Sequence, residues 1–152
     1  MRKLCCLSIL LAMLILLSSC AKTTVEPSAL MDELKSEFDL TDMRELSTAD
    51  ELYTYYAIDK EGIEAFAACV SNDTDEMDEV LLLCLSNTDA ADTAERLLQS
   101  HLEARRMIAS DYSPERERVL ESCRVIRSGN TLALVIADRA KQINAYIQNR
   151  MG

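Results

Sequence analysis

Five carboxylates in seven residues, Asp73, Asp75, Glu76, Asp78 and Glu79, are the densest set of potential ligands in this chain. Close acidic oxygens are what calcium takes, and Asp73-x-Asp75 has the spacing with which calcium loops begin. The glycine that lets such a loop turn is missing, and the twelfth position from Asp73 holds Cys84 rather than glutamate. Asp73, Asp75 and Asp78 are therefore weak divalent-metal candidates, and the segment reads first as a solvated hairpin loop. His101 is the only histidine. No serine, cysteine or carboxylate is placed by spacing to work with it, so a partly buried packing or hydrogen-bonding role is expected rather than general base or ligand. Tyr53, Tyr55 and Tyr56 could stack sugars or bases, but nothing basic accompanies them, and tyrosines also suit the edge of a small core. No nucleophile–base set, glycine-rich phosphate loop or cofactor-binding motif is legible.

The cysteines carry more information. Arg2 and Lys3 form a positive segment, residues 4–17 are an almost unbroken apolar run without charge, and Leu17-Ser18-Ser19-Cys20 follows. This tetrad resembles the lipobox of bacterial lipoproteins, in which a diacylglyceryl group is placed on the cysteine thiol and the chain is cleaved just before it. A thiolate is a good nucleophile toward the lipid donor, and small residues before it let a peptidase grip an extended backbone. An uncleaved anchor is the alternative, but residues 4–19 fall short of the roughly twenty that span a hydrocarbon core. A non-lipidated secretory peptide is the other. The expectation is a signal peptide over 1–19, lipidation at Cys20, and a short polar tether over 20–27. It places the protein on the extracytoplasmic face of a cell membrane.

Removing Arg2 and Lys3 takes the formal charge from −10 to −12. Such a surface is repelled by nucleic acid and by anionic lipid heads, so the lipid rather than a basic patch must hold it at the membrane. Cys69, Cys84 and Cys123 then remain for the fold. An odd number cannot pair completely, and each lies in an apolar context where free cysteine behaves as a small hydrophobe. One Cys69–Cys84 bridge between neighbouring strands is the alternative. Metal binding by these thiols is not expected, because no CxxC occurs and His101 has no thiol ligand near it in sequence.

The elements that must position these residues form a single domain over 28–152. Pro27-Ser28 reads as a helix start capped by Ser28, with Leu30, Leu34 and Phe38 at helical spacing. Thr48-x-x-Glu51 has capping-box spacing for a second short helix, and the chain between the two is polar and undecided. Residues 63–70 and 80–85 read as strands, the second apolar on both sides and therefore central. A long helix over about 89–109 follows, with Asp89 and Asp92 at its start, Arg105 and Arg106 near its end, and His101 bordering its inner face. Ser113-Pro114 starts a further short helix. Residues 123–127 and 131–137 flank Ser128-Gly129-Asn130 as a hairpin, and a last helix presents Ala140, Ile143 and Ile147 inward. The predicted fold is an α+β two-layer sandwich: a four-stranded, mainly antiparallel sheet in β-β-α-β-β-α order, preceded by two short helices. If the strands are apolar on both faces, the second face must meet Leu30, Leu34, Phe38 and Tyr56 of the leading helices, or another molecule; the leading helices are favoured.

Several of these pieces together resemble a group of small lipoproteins with a domain of unknown function, DUF4358, common in Clostridia and their relatives. They are the Tyr56-Ala57-Ile58-Asp59 turn, Asp78-Glu79 leading into VLLLCL, the 88–106 helix, the Tyr112-Ser113-Pro114-Glu115 step, and the Gly129-Asn130 hairpin before Ala137-Asp138. The likeness spans about residues 30–147, and in that family glycine is commoner where this chain has Ala57. The resemblance implies no active-site residues, because the family is itself uncharacterised. A lipid-anchored, non-catalytic binding or protein-interaction module of the envelope is the expected function, with an envelope protein as a possible partner. The alternatives are an envelope enzyme such as a hydrolase, or a small glycan- or solute-binding lipoprotein.

Overall fold

The computed structural model describes residues 25–40, 42–73 and 77–152. Its elements, in chain order, are α1 (Pro27–Phe38), β1 (Met43–Leu46), α2 (Ala49–Tyr56), β2 (Ile63–Ser71), β3 (Glu79–Leu85), α3 (Thr88–Tyr112), α4 (Pro114–Glu121), β4 (Val125–Ser128), β5 (Thr131–Ile136) and α5 (Ala140–Met151). The local chemistry sets most of these boundaries. Thr48 and Glu51 form the reciprocal capping box at α2. Ser113 closes α3 with its backbone N–H and opens α4 with its side chain, ahead of Pro114 in the first turn. At α1 the cap is Glu26 rather than Ser28: the Glu26 carboxylate accepts from Ala29 N at 2.8 Å, and Pro27 takes the first turn.

The sheet corrects the expected fold. It has five strands in the order β1-β2-β3-β5-β4, every neighbouring pair antiparallel. The unpredicted strand is β1, drawn from the polar stretch between α1 and α2, where only Leu46 is buried. The architecture is also three layers, not two. Cys69, Val80 and Val135 lie in register on one face, where the Cys69 thiol meets Met31 of α1. Glu79, Val70 and Ile136 lie in register on the other, where Glu79 meets His101 of α3. Helices α1 and α5 thus cover one face, and α2, α3 and α4 lie on the other. This is why β3 and β5 are buried on both sides; each fully buried leucine or isoleucine there contributes roughly 1.5–3 kcal/mol. As expected, α1 brings Leu30, Leu34 and Phe38 to cover a sheet face, whereas Tyr56 packs on the opposite side against His101.

Register also settles the cysteines. Cys69 pairs with Val80 and Cys84 with Ala65, so the two thiols sit at opposite ends of the β2–β3 ladder, and Cys69, Cys84 and Cys123 are free. The β4–β5 hairpin turns at Gly129-Asn130 with positive φ at Gly129 alone, the pattern of a II′ rather than a I′ turn.

Candidate functional site

The buried ionic cluster of this fold stands where β3 begins. Glu79 opens that strand and is only 1% exposed, the lone carboxylate among the buried described residues. An isolated carboxylate is expensive to bury, so it must find cationic partners. Both come from α3: His101 and Arg105 stand four apart, one turn above the other on the face that meets the sheet. His101 Nε2 lies 2.7 Å from Glu79 Oε2. Arg105 Nη2 meets Oε1 as an ion pair, off the line of a hydrogen bond. Tyr56, at the end of α2, packs its ring edge-on to the imidazole, with centroids 4.8 Å apart. Burial pushes the Tyr56 hydroxyl well above its ordinary range, and the neighbouring Glu79 charge pushes it the same way.

With Glu79 ionised, the imidazole donates to it through Nε2, while Arg105 offsets the carboxylate charge. A carboxylate that fixes the tautomer of a histidine is the arrangement that orients a general base. Among the described residues, however, no serine, threonine or cysteine stands in hydrogen-bond contact with His101. Outside the cluster lies a shallow cavity of about 420 Å³, walled by Thr54, Tyr55, His101, Ala104, Arg105 and Ile108. The exposed large apolar side chains of the described residues gather along the same two helices: Tyr53 on α2, and Met107 and Ile108 on α3, with Met107 70% exposed.

The residues singled out from sequence are scattered. Of the acidic run, Glu79 is the buried hub, which corrects its assignment to a solvated loop. Asp78 pairs with Arg116 at 3.0 Å, and its carbonyl accepts from Ser71 N to close the hairpin. Asp73 donates its backbone N–H to Ser71 Oγ at 3.0 Å, at the tip of β2. Asp75 and Cys20 lie outside the described residues. Among the described residues, no three His, Cys, Asp or Glu side chains converge on a metal position. The tyrosines point three ways: Tyr53 is exposed, Tyr55 binds Arg44 through its hydroxyl at 2.9 Å and its ring, and Tyr56 is buried. They make no shared platform.

A family model described as "Domain of unknown function (DUF4358)" matches residues 36–137. The chain belongs to the DUF4358 family. No curated protein and no solved structure matches it. The DUF4358 match contains the whole sheet, α2, α3 and α4, and with them Tyr56, Glu79, His101 and Arg105. Most of α1 and all of α5, the layer over the opposite face, lie outside it.

Proposed function

We propose that this DUF4358 protein is an extracytoplasmic lipoprotein, held to the membrane by a diacylglyceryl group on Cys20, whose domain is a non-catalytic interaction module. The observation that carries the reading is the tetrad Leu17-Ser18-Ser19-Cys20 behind a charged and then apolar leader. The fold supports it through the position of Val25. The Val25 carbonyl lies 3.8 Å from the Cys84 thiol, at the C-terminal end of β3. Val25 is five residue steps from Cys20, a reach of about 17 Å when fully extended. That end of the sheet, with the Gly129-Asn130 turn beside it, faces the bilayer in this reading. The Glu79 cluster lies about 20 Å away along β3, and Tyr53, Met107 and Ile108 stand at that far end, turned toward a partner outside the membrane rather than toward lipid. Helix α3 agrees: from Asn87 to His101 it rises about 21 Å.

Mass spectrometry of the membrane-extracted protein tests the anchor, with the expected N-terminus a lipid-modified Cys20 and the Cys20→Ala chain left unprocessed. A photocrosslinker at Met107 tests the module, and a defined protein adduct is expected there but not from the same probe at Asn130. A chain beginning at Met1 with no lipid mass overturns the anchor, and equal adducts at both positions overturn the orientation. The Glu79–His101 pair favours a second reading, an envelope hydrolase in which His101 activates water beside the cavity. Hydrolysis of any envelope ester or glycoside that is lost in His101→Gln would establish it.

A further inference from the structure

A second cluster, on the opposite face of the sheet, is made of sulfur. Cys69 Sγ lies 3.7 Å from Met31 Sδ and 3.7 Å from Met43 Sδ. The three residues come from β2, α1 and β1, so the convergence is a product of the tertiary fold and not of a sequence motif. The thiol has one proton and so can donate to only one thioether at a time. The other two described thiols behave differently, finding oxygen: Cys123 meets Val119 O at 3.4 Å, and Cys84 lies near Thr131 Oγ1 and Val25 O. Cys69 and Met31 are buried, and Met43 is half-buried. A cavity of about 340 Å³ between α1 and β1 has Met31, Lys35, Glu45 and Ala67 in its wall, so the cluster borders it through Met31.

We infer that Cys69, Met31 and Met43 form a binding site for a single soft monovalent ion of the copper(I) class. One thiolate and two thioethers are the donor set that selects such ions over zinc, calcium or magnesium. Charge points the same way. A monovalent cation on one thiolate is neutral and can be buried, whereas a divalent ion would leave an unbalanced positive charge in an apolar site. Spacing agrees as well. With metal–sulfur bonds of about 2.3 Å, three sulfurs around one ion stand about 4 Å apart, close to the 3.7 Å that separates Cys69 Sγ from each thioether. Binding replaces the S–H bond with a sulfur–metal bond and releases the thiol proton to solvent, with no change in oxidation state. This inference does not depend on the lipid anchor or on the Glu79 cluster.

The test is an anaerobic titration of the purified full chain with Cu(I) against a chromogenic Cu(I) chelator, reading stoichiometry and affinity. One equivalent is expected to bind with a thiolate-to-metal ultraviolet absorption. Cys69→Ala should lose that equivalent. Met31→Leu and Met43→Leu, which conserve volume, should each weaken it by about tenfold or more while keeping the thermal midpoint near that of the parent. X-ray absorption at the copper edge gives a second readout independent of the variants, with three sulfur neighbours expected in one shell. The inference is overturned if Cys69→Ala still binds the same equivalent, if the shell contains nitrogen or oxygen instead, or if Zn(II) displaces the copper.

Discussion

At the scale of single residues, Glu79 carries the largest expected penalty. Truncation in Glu79→Ala leaves Arg105 and His101 without their shared partner inside the fold, and breaking a buried ion pair from one side costs about 3–5 kcal/mol. Urea denaturation should show the unfolding free energy falling by about that amount, through a lower midpoint at unchanged slope. Cys69 gives a pH signature. Burial pushes its thiol from 9.0 up to about 11. The folded chain therefore holds this proton where the unfolded chain has released it, so the stabilisation is whole below about pH 9 and is lost as pH rises toward 11. The loss is on the order of 2 kcal/mol, and a stability–pH series on the parent and on Cys69→Ala should differ in slope over that window alone. Two backbone positions give opposite signs. Ala57 holds the left-handed conformation at the end of α2, with φ 57°. Ala57→Gly should stabilise the fold by about 1 kcal/mol. Gly62 has φ +87°, and a Cβ there would stand 2.9 Å from Ala90 Cβ, so Gly62→Ala should lower the melting temperature.

At the scale of elements, what the sequence disclosed follows from how local each cause is. The capping box at Thr48, the Ser113-Pro114 step and the apolar runs of β3 and β5 are set by neighbours a few residues apart, and all are in the fold. Strand β1 was not legible because Met-Arg-Glu-Leu has no apolar stripe: it exists through its pairing with β2, more than twenty residues away. Glu79 hid among adjacent acids, its partners being 22 and 26 positions distant. The signal that could have found it was paired: an acid abutting VLLLCL, and His101 and Arg105 one turn apart on the inner face of an amphipathic helix. The sulfur cluster had no such signal, because Met31, Met43 and Cys69 share no spacing. His101 is expected from sequence in a partly buried packing or hydrogen-bonding role, and strand register supplies the carboxylate it bonds.

At the scale of the whole molecule, the chain is acidic and the domain has both sheet faces covered, so in the proposed anchored form affinity for a bilayer should come from the lipid alone. The chain beginning at Cys20 without lipid is expected to leave anionic vesicles unbound at 0.15 M salt in a flotation assay, and the lipidated form to float with them. The position of Val25 has a further consequence, for mechanical load. In the proposed anchored form, a pull that reaches the described fold through Val25 enters it at the first turn of α1. That helix lies on β2 and β3 with Leu30, Met31 and Leu34 inserted along its length. Force applied at one end therefore peels these contacts a turn at a time instead of shearing them together. The antiparallel ladder beneath and the Glu79 cluster on its far side are spared until α1 has lifted. Under such a pull α1, most of which lies outside the DUF4358 match, would in this sense be a sacrificial layer, yielding first and leaving the matched sheet intact.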